Sequence, residues 1–314
     1  MTTTTTTTTA TPAPAAISST RWLSLGLGLL VLVLGIHLFI TWKMDVFGIL
    51  RDPRGRELST SHHERKAKWL LNHKYVPENF DALIVGPSPS VNWHLKDFTG
   101  YRYYDESLEG GDAVELRMLV EQALKTGHFK VAIVGLFPHT TQVHYFWDGL
   151  DQANIWEAFG SLNSFGIEAD DFGVKYLHHP RMFFPDGSHR MPVARVTPPK
   201  PGDPKLPVVQ DPAAVKDYRE LVQELLAHNI KVVYVVYPLF GPSYEYNKDG
   251  MAEYMESVKQ NMPPAPLIDF NTPEFDALRN DPNNYMDEVH LSEAGSTIFS
   301  PIVNERVHQA LHDQ

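Results

Sequence analysis

Between Trp22 and Trp42 the chain reads WLSLGLGLLVLVLGIHLFITW, without a single formal charge. About 20 such residues, at about 1.5 Å of helical rise each, match a hydrocarbon core roughly 30 Å thick. A tryptophan stands at each end, where amphipathic rings favour the membrane interface. Such a stretch has no place in a water-soluble fold, so it divides the chain. A cleaved signal peptide is the competing reading. The stretch is long for that, and the bulky Thr41-Trp42-Lys43-Met44 offers no small-residue cleavage site. We therefore expect a transmembrane helix over residues 22–42.

The flanks follow from this division. Residues 1–21 form a Thr/Pro-rich tail that includes eight consecutive threonines, and a segment without core-forming residues is expected to be disordered. Residues 43–80 are expected to form a polar stem with a short helix over Glu64–Leu71. The cluster His62-His63-Glu64-Arg65-Lys66-Ala67-Lys68 reads as a solvated helix face near the membrane, with lipid headgroups as an alternative partner. Arg21 precedes the span, while Lys43, Arg51, Arg54 and Arg56 follow it. Counting those charges puts the C-terminal side in the cytoplasm, a rule that loses force for a long domain.

Residues 81–314 suit one large α/β domain. Apolar strand-like runs occur at 80–85, 101–104, 130–136, 230–237 and 266–270. Between them lie helical patterns over 113–125, 211–228 and 251–261, and a closing helix over 292–312. Strands alternating with helices predict a parallel sheet covered on both faces, with functional groups at the carboxyl ends of the strands. An irregular insertion, 138–210, is rich in His, Pro and aromatic residues and suits a lid or binding surface. A net charge of −11 argues against general nucleic-acid binding, and the lack of cysteine excludes thiolate chemistry and disulfides.

Two segments carry possible chemistry. Gly86-Pro87-Ser88-Pro89-Ser90 follows the first apolar run, where a helix starting near Ser88 would present free N–H groups to an oxyanion. Ser88 or Ser90 capping a helix is the plainer alternative. Asp287-Glu288-Val289-His290 lies near the C-terminus. Serine needs a base, imidazole titrates near neutrality, and an acid three residues earlier can orient it. A turn role for Asp287 and a packed His290 are the competing readings, since the chain has 15 histidines. His178, His179 and His189 with Asp170, Asp171 and Asp186 have no helix-based ligand spacing, so no metal is expected. Tyr145, Phe146, Trp147 and Trp156 are candidates to stack on sugar rings or to pack a lid.

These segments resemble the SGNH (GDSL-like) hydrolase superfamily, particularly its membrane-anchored bacterial branch linked to acyl modification of exported polysaccharides. Gly86 to Ser90 resembles the first block, with Ser88 at the nucleophile and Pro87 in place of the usual aspartate. Asp287-x-x-His290 matches the last block. The resemblance implies a three-layer α/β/α, flavodoxin-like parallel sheet and a Ser88–His290–Asp287 triad. The oxyanion hole would use the Ser88 N–H and that of Gly110 or Gly111. The third block's Gly-x-Asn-Asp has no counterpart, because Gly135-Leu136-Phe137-Pro138-His139 lacks the asparagine. Asn92 or His139 would then supply that donor, or it is missing.

By resemblance the chain is a single-pass protein of a bacterial inner membrane with its domain on the periplasmic side, against the charge count. It would be a cofactor-independent serine esterase or O-acyltransferase acting on acyl esters, above all acetyl esters, of envelope or exported polysaccharide. A catalytically degenerate scaffold or polysaccharide-binding subunit of an envelope complex is the alternative. A lipid esterase is a further one.

Overall fold

The expected apolar runs assemble edge to edge. The computed structural model describes residues 19–56, 58, 64–142, 165–167, 169, 182–190 and 195–313. Five strands form the main sheet: β1 (Ala82–Val85), β2 (Tyr103–Asp105), β3 (Val131–Leu136), β4 (Lys231–Val236) and β5 (Leu267–Asp269). Their order is β2-β1-β3-β4-β5, and every pairing is parallel. β1 and β3 are buried along their whole length, which is why they read as continuous apolar runs. This is the flavodoxin-like doubly wound order, with its switch point between β1 and β3.

Helices α4 (Ala113–Leu124) and α5 (Pro212–Ala227) pack together on one face. α6 (Gly241–Asn261) follows β4, and the small α7 (Asp276–Arg279) follows β5. Right-handed crossovers put α8 (Glu293–His312) and residues 88–99 on the other face. There Trp93 meets Phe98, Tyr237 and Phe299, and Phe299 also meets Phe270. Local chemistry sets the helix starts. The Asp112 carboxylate accepts from Glu115 N–H at 3.0 Å, while Glu115 reaches back to Asp112 N–H. Asp211 caps α5 immediately before Pro212, whose fixed φ suits a first helical turn.

α6 begins ten residues before the expected Met251 because its first half carries few apolar residues. It turns Ser243 and Asn247 inward instead, so no apolar stripe betrays it. The insertion contributes a two-strand antiparallel hairpin, Met182–Phe183 with His189–Arg190. Residues 154–162 of the insertion, whose sequence suits a helix, lie outside the described residues.

α1 (Ser19–Met44) is long and apolar enough to cross a membrane, and its large apolar side chains from Trp22 to Phe39 are exposed. The polar stem expected after it needs correcting. α1 ends at Asp45, which adopts φ 45°. The Asp45 carboxylate accepts from the N–H groups of Ile49 and Leu50 at 3.0 Å, from Arg51 N–H at 3.1 Å and from Arg56 Nη1 at 2.7 Å. Val46 and Phe47 then enter the core, followed by Leu70 and Leu71 of α2 (Glu64–Leu71) and Val76 of α3 (Tyr75–Asn79). Residues 44–56 and 64–79 are thus built into the domain.

On α2, Glu64 and Lys68 of the charged cluster likewise face inward, while Arg65 and Lys66 are half-buried. Glu64 and Lys68 are fully buried, and Arg65 holds Glu115 at 2.6 Å. Beside Lys68 lie Asp105 and Glu106, also buried. Burial pushes the Asp105 carboxyl up to about 6 and that of Glu106 up to about 8, although Lys68 opposes both. For Glu106 the folded state keeps a proton that the unfolded chain has lost. Its contribution to stability is complete below its ordinary 4.5 and is lost as pH rises to about 8. The slope from this one group is about 1.4 kcal/mol per pH unit. Glu106→Gln, which cannot ionise, should raise the thermal unfolding temperature more at pH 8 than at pH 5. Equal shifts at the two pH values would refute the assignment.

Candidate active site

The ladder between β1 and β2 continues past both strands. Glu106 N–H donates to Ile84 C=O at 2.7 Å and Leu108 N–H to Gly86 C=O at 3.0 Å, with a bridge between Pro87 and Leu108. The turn carrying Ser88 and the loop 106–111 therefore lie side by side at the carboxyl edge of the sheet. No regular helix starts at Ser88. A single 3₁₀ turn, Ser88–Ser90, takes its place, so the expected helix terminus contributes no field here.

The two serines of this turn face opposite ways. Ser90 is fully buried. Its Oγ lies 3.0 Å from Pro87 O, 2.7 Å from Ser107 Oγ and 3.0 Å from the Tyr237 hydroxyl. That hydroxyl sits where side chains on two neighbouring strands would go. A Cβ on Gly86 would lie 2.2 Å from it, and one on Gly135 1.6 Å. Gly86 is thus required by this close approach rather than by a left-handed turn. Tyr237 and Ser107 were not among the expected site residues. The available signal was a tyrosine closing one apolar run beside glycines in two others.

Ser88 turns the other way. His290 Nε2 lies 2.7 Å from Ser88 Oγ, and His290 Nδ1 lies 2.8 Å from Asp287 Oδ2. A carboxylate only accepts, so Nδ1 carries the proton toward Asp287 and Nε2 is free to accept from Ser88. The other carboxylate oxygen, Oδ1, accepts from the backbone N–H groups of Val289 at 2.9 Å and His290 at 2.8 Å. Burial pushes the Asp287 carboxyl up, but the His290 ring and these N–H groups outweigh it and hold it below 3.8.

The loop bearing these residues is tied at several points. Met286 N–H donates to His290 C=O at 2.9 Å, and Phe240 N–H to Glu288 C=O at 3.1 Å. Ser292 then caps α8 through Gly295 N–H at 3.1 Å. The Asn92 amide donates to Leu291 C=O at 2.5 Å. Asn92 therefore steadies the backbone beside His290, and its donor is not directed at an oxyanion.

Backbone donors near Ser88 can be counted one by one. In loop 106–111, Glu106 and Leu108 donate to β1 and its extension. Ser107 N–H donates to Asp105 Oδ1, Glu109 N–H to Glu64 Oε1 and Gly111 N–H to Leu108 C=O. Gly111 is thereby occupied. Gly110, at φ 60°, has the one N–H in this loop without an acceptor among the described residues. It lines a cleft of about 270 Å³ together with Ser88 and His290. Phe137, His139, Leu206 and Val289 form further walls, so the two ends of the insertion border the cleft. Leu206 is pinned by its N–H to Asn247 Oδ1 at 2.8 Å.

Tyr145, Phe146, Trp147 and Trp156 lie outside the described residues, as do His178, His179, Asp170 and Asp171. His189 and Asp186 are described and do not meet. His189 pairs with Glu64 at 2.9 Å, while Asp186 accepts from Ser188. A larger cavity of about 500 Å³, between residues 54–56, 93–96 and 184–189, lies apart from Ser88.

No protein-family model and no curated protein matches the chain. Solved structures similar to it include a protein from Streptococcus pneumonia provisionally named a platelet activating factor. It is 12% identical, with 78% of this chain and 92% of that one covered, at a TM-score of 0.43. A GDSL-like lipase from Bacteroides thetaiotaomicron is 10% identical, with 80% and 98% covered, at a TM-score of 0.42. A provisionally named acylhydrolase from Bacteroides fragilis is 13% identical, with 73% and 87% covered, at 0.38.

The two serines should separate in stability measurements. Ser90→Ala leaves the buried Tyr237 hydroxyl without its partner and should cost about 1–3 kcal/mol in denaturant unfolding. Ser88→Ala should change stability by less than about 0.5 kcal/mol. The reverse ranking would contradict the packing described. Because the Asp287 carboxyl is held low, its contribution to stability is present above pH 3.8 and is lost as pH falls through its depressed value. Asp287→Asn should therefore lessen the fall in unfolding temperature between pH 5 and pH 3.

Proposed function

We propose that the chain is a membrane-tethered serine esterase or O-acyltransferase acting on short acyl esters, above all acetyl esters, of envelope or exported polysaccharide. The observation that carries this reading is the unbroken hydrogen-bond chain Ser88–His290–Asp287 beside the Gly110 N–H, which has no acceptor among the described residues. Ser88 Oγ attacks the ester carbonyl carbon while its proton passes to His290 Nε2. Asp287 holds the imidazolium in place. The oxyanion accepts from the N–H groups of Ser88 and Gly110, with His139 as a side-chain donor where the family pattern has asparagine. Collapse breaks the bond to the alcohol oxygen, which leaves with the proton from His290. Water or a sugar hydroxyl then attacks the acyl group on Ser88, giving its proton to His290, and Ser88 is restored.

The size and lining of the cleft support a short acyl group. About 270 Å³ is below the roughly 300–1,000 Å³ of pockets for drug-sized ligands. Its walls at Phe137, Leu206 and Val289 suit a methyl, and a long lipid acyl chain has little room. α1 supports the tether, and the resemblance to envelope acyl-modifying proteins supports a periplasmic domain and a polysaccharide acceptor. The scaffold reading draws on the missing third-block asparagine and predicts an unreactive Ser88.

A fluorophosphonate probe on the full-length protein in detergent should label wild type and fail on Ser88→Ala. Labelling that persists in the variant removes Ser88 as the nucleophile. Asp287→Asn should lower turnover of 4-nitrophenyl acetate by roughly a thousandfold to ten-thousandfold. Across 4-nitrophenyl esters kcat/KM should fall steeply from acetate to octanoate, and faster octanoate turnover would overturn the short-acyl assignment.

A further inference from the structure

Three side chains of α2 grip the loop that carries Gly110. Glu64 Oε1 accepts from Glu109 N–H at 2.8 Å, Arg65 Nη2 donates to Glu109 C=O at 2.9 Å, and Lys68 Nζ donates to Ser107 C=O. The Gly110 N–H shares a peptide plane with Glu109 C=O, which Arg65 holds, and Glu64 holds the preceding peptide through Glu109 N–H, so its direction depends on both anchors.

The other oxygen of Glu64 has a second partner. Oε2 lies 2.9 Å from His189 Nε2, and both side chains are essentially inaccessible to solvent. His189 belongs to the hairpin 182–190 within the insertion, and that hairpin is docked on several elements at once. His189 N–H donates to Val91 C=O at 2.6 Å, just past the Ser88 turn. Asp105 N–H donates to Asp186 C=O at 2.8 Å. Gly187, at φ 86°, packs so closely that a Cβ there would lie 2.1 Å from Asp105 O. Leu58 and Phe183 exchange backbone hydrogen bonds at 2.8 and 3.1 Å.

We propose that Glu64 and His189 form a positioning pair that fixes the direction of the Gly110 N–H and makes oxyanion binding depend on docking of the insertion hairpin. The proposal rests on the acyl-transfer reading for its kinetic consequence but not for its structural one. The pair takes no part in the chemistry described, since neither residue lines the cleft of Ser88. A buried carboxylate and imidazole are costly to keep unless each faces an opposite charge, as these two do at 2.9 Å. Burial alone would neutralise both. Instead His189, Lys68 and Arg65 hold the Glu64 carboxyl low, and Glu64 with Glu109 holds the His189 ring high. The same carboxylate thus joins α2, the hairpin and the loop that carries Gly110.

The test compares Glu64→Ala, Glu64→Gln and His189→Gln in the full-length protein. Glutamine at 64 keeps an acceptor for Glu109 N–H and is the conservative rescue. Hydrogen exchange is read at Leu108 and Gly111, whose own bonds do not involve Glu64. Glu64→Ala should accelerate it at least tenfold while leaving β1 and β3 unchanged. Glu64→Gln should stay within threefold of wild type, with His189→Gln between the two.

In turnover of 4-nitrophenyl acetate, Glu64→Ala should lose roughly tenfold to a hundredfold in kcat with KM within twofold, as expected for a displaced oxyanion donor. Unchanged exchange at Leu108 and Gly111 in Glu64→Ala overturns the pair. So does equal acceleration of the loop, β1 and β3, which would make it a general prop of the fold. If wild type neither labels nor turns over, the acyl-transfer reading falls, and the exchange comparison still decides the pair.

Discussion

The Tyr237 hydroxyl is the point on which the site hangs. It rises at the end of β4, crosses in front of β3 and meets Ser90 under β1, filling the space that Gly86 and Gly135 leave empty. With Ser90 drawn inward by Tyr237, Ser107 and Pro87, the 3₁₀ turn, which advances about 120° per residue, points Ser88 away from it. The β1–β2 ladder then carries the Gly110 loop alongside. Removing the hydroxyl would free two glycines and a serine together, so the direction of Ser88 is a property of the sheet rather than of its own turn.

Much of the fold was legible from sequence because β1, β3 and β4 are buried on both faces and their apolar runs have no other use. Alternating helix patterns fixed the parallel arrangement. What escaped notice was polar and buried. The first half of α6 hides because Ser243 and Asn247 face inward. The stem looked soluble because Glu64, Arg65 and Lys68 are charged, although two of them have no access to water. Hydropathy scores a charge by its transfer cost and cannot see the partner that offsets it. At the site, Ser88, Asp287 and His290 lay within two short segments whose spacing could be read. Asn92 and Gly111 could not be assigned, since each has donors whose targets depend on contacts between distant segments.

That same blindness explains the cluster below β1 and β2. Glu64, Lys68, Asp105, Glu106 and His189 sit buried together beside the ends of β1 and β2. Buried ionic groups often add little to stability but restrict which arrangements are acceptable. Glu64, Lys68 and Asp105 converge on loop 107–109, and Glu64 also meets His189 of the hairpin, so a misplaced hairpin or loop would strand at least one charge. The cluster selects one assembly of segments far apart in sequence.

The corner at Asp45 has a mechanical meaning. A flexible tether lets a domain sweep a volume that grows with linker length. Here the chain leaves α1 through a carboxylate that gathers three backbone N–H groups and Arg56, and enters the core within two residues. For an α1 that spans a bilayer, the mouth of the cleft then stands at one altitude and one tilt above the lipid surface. Whatever the cleft takes would have to be delivered to that height, as cloth is fed to a fixed needle.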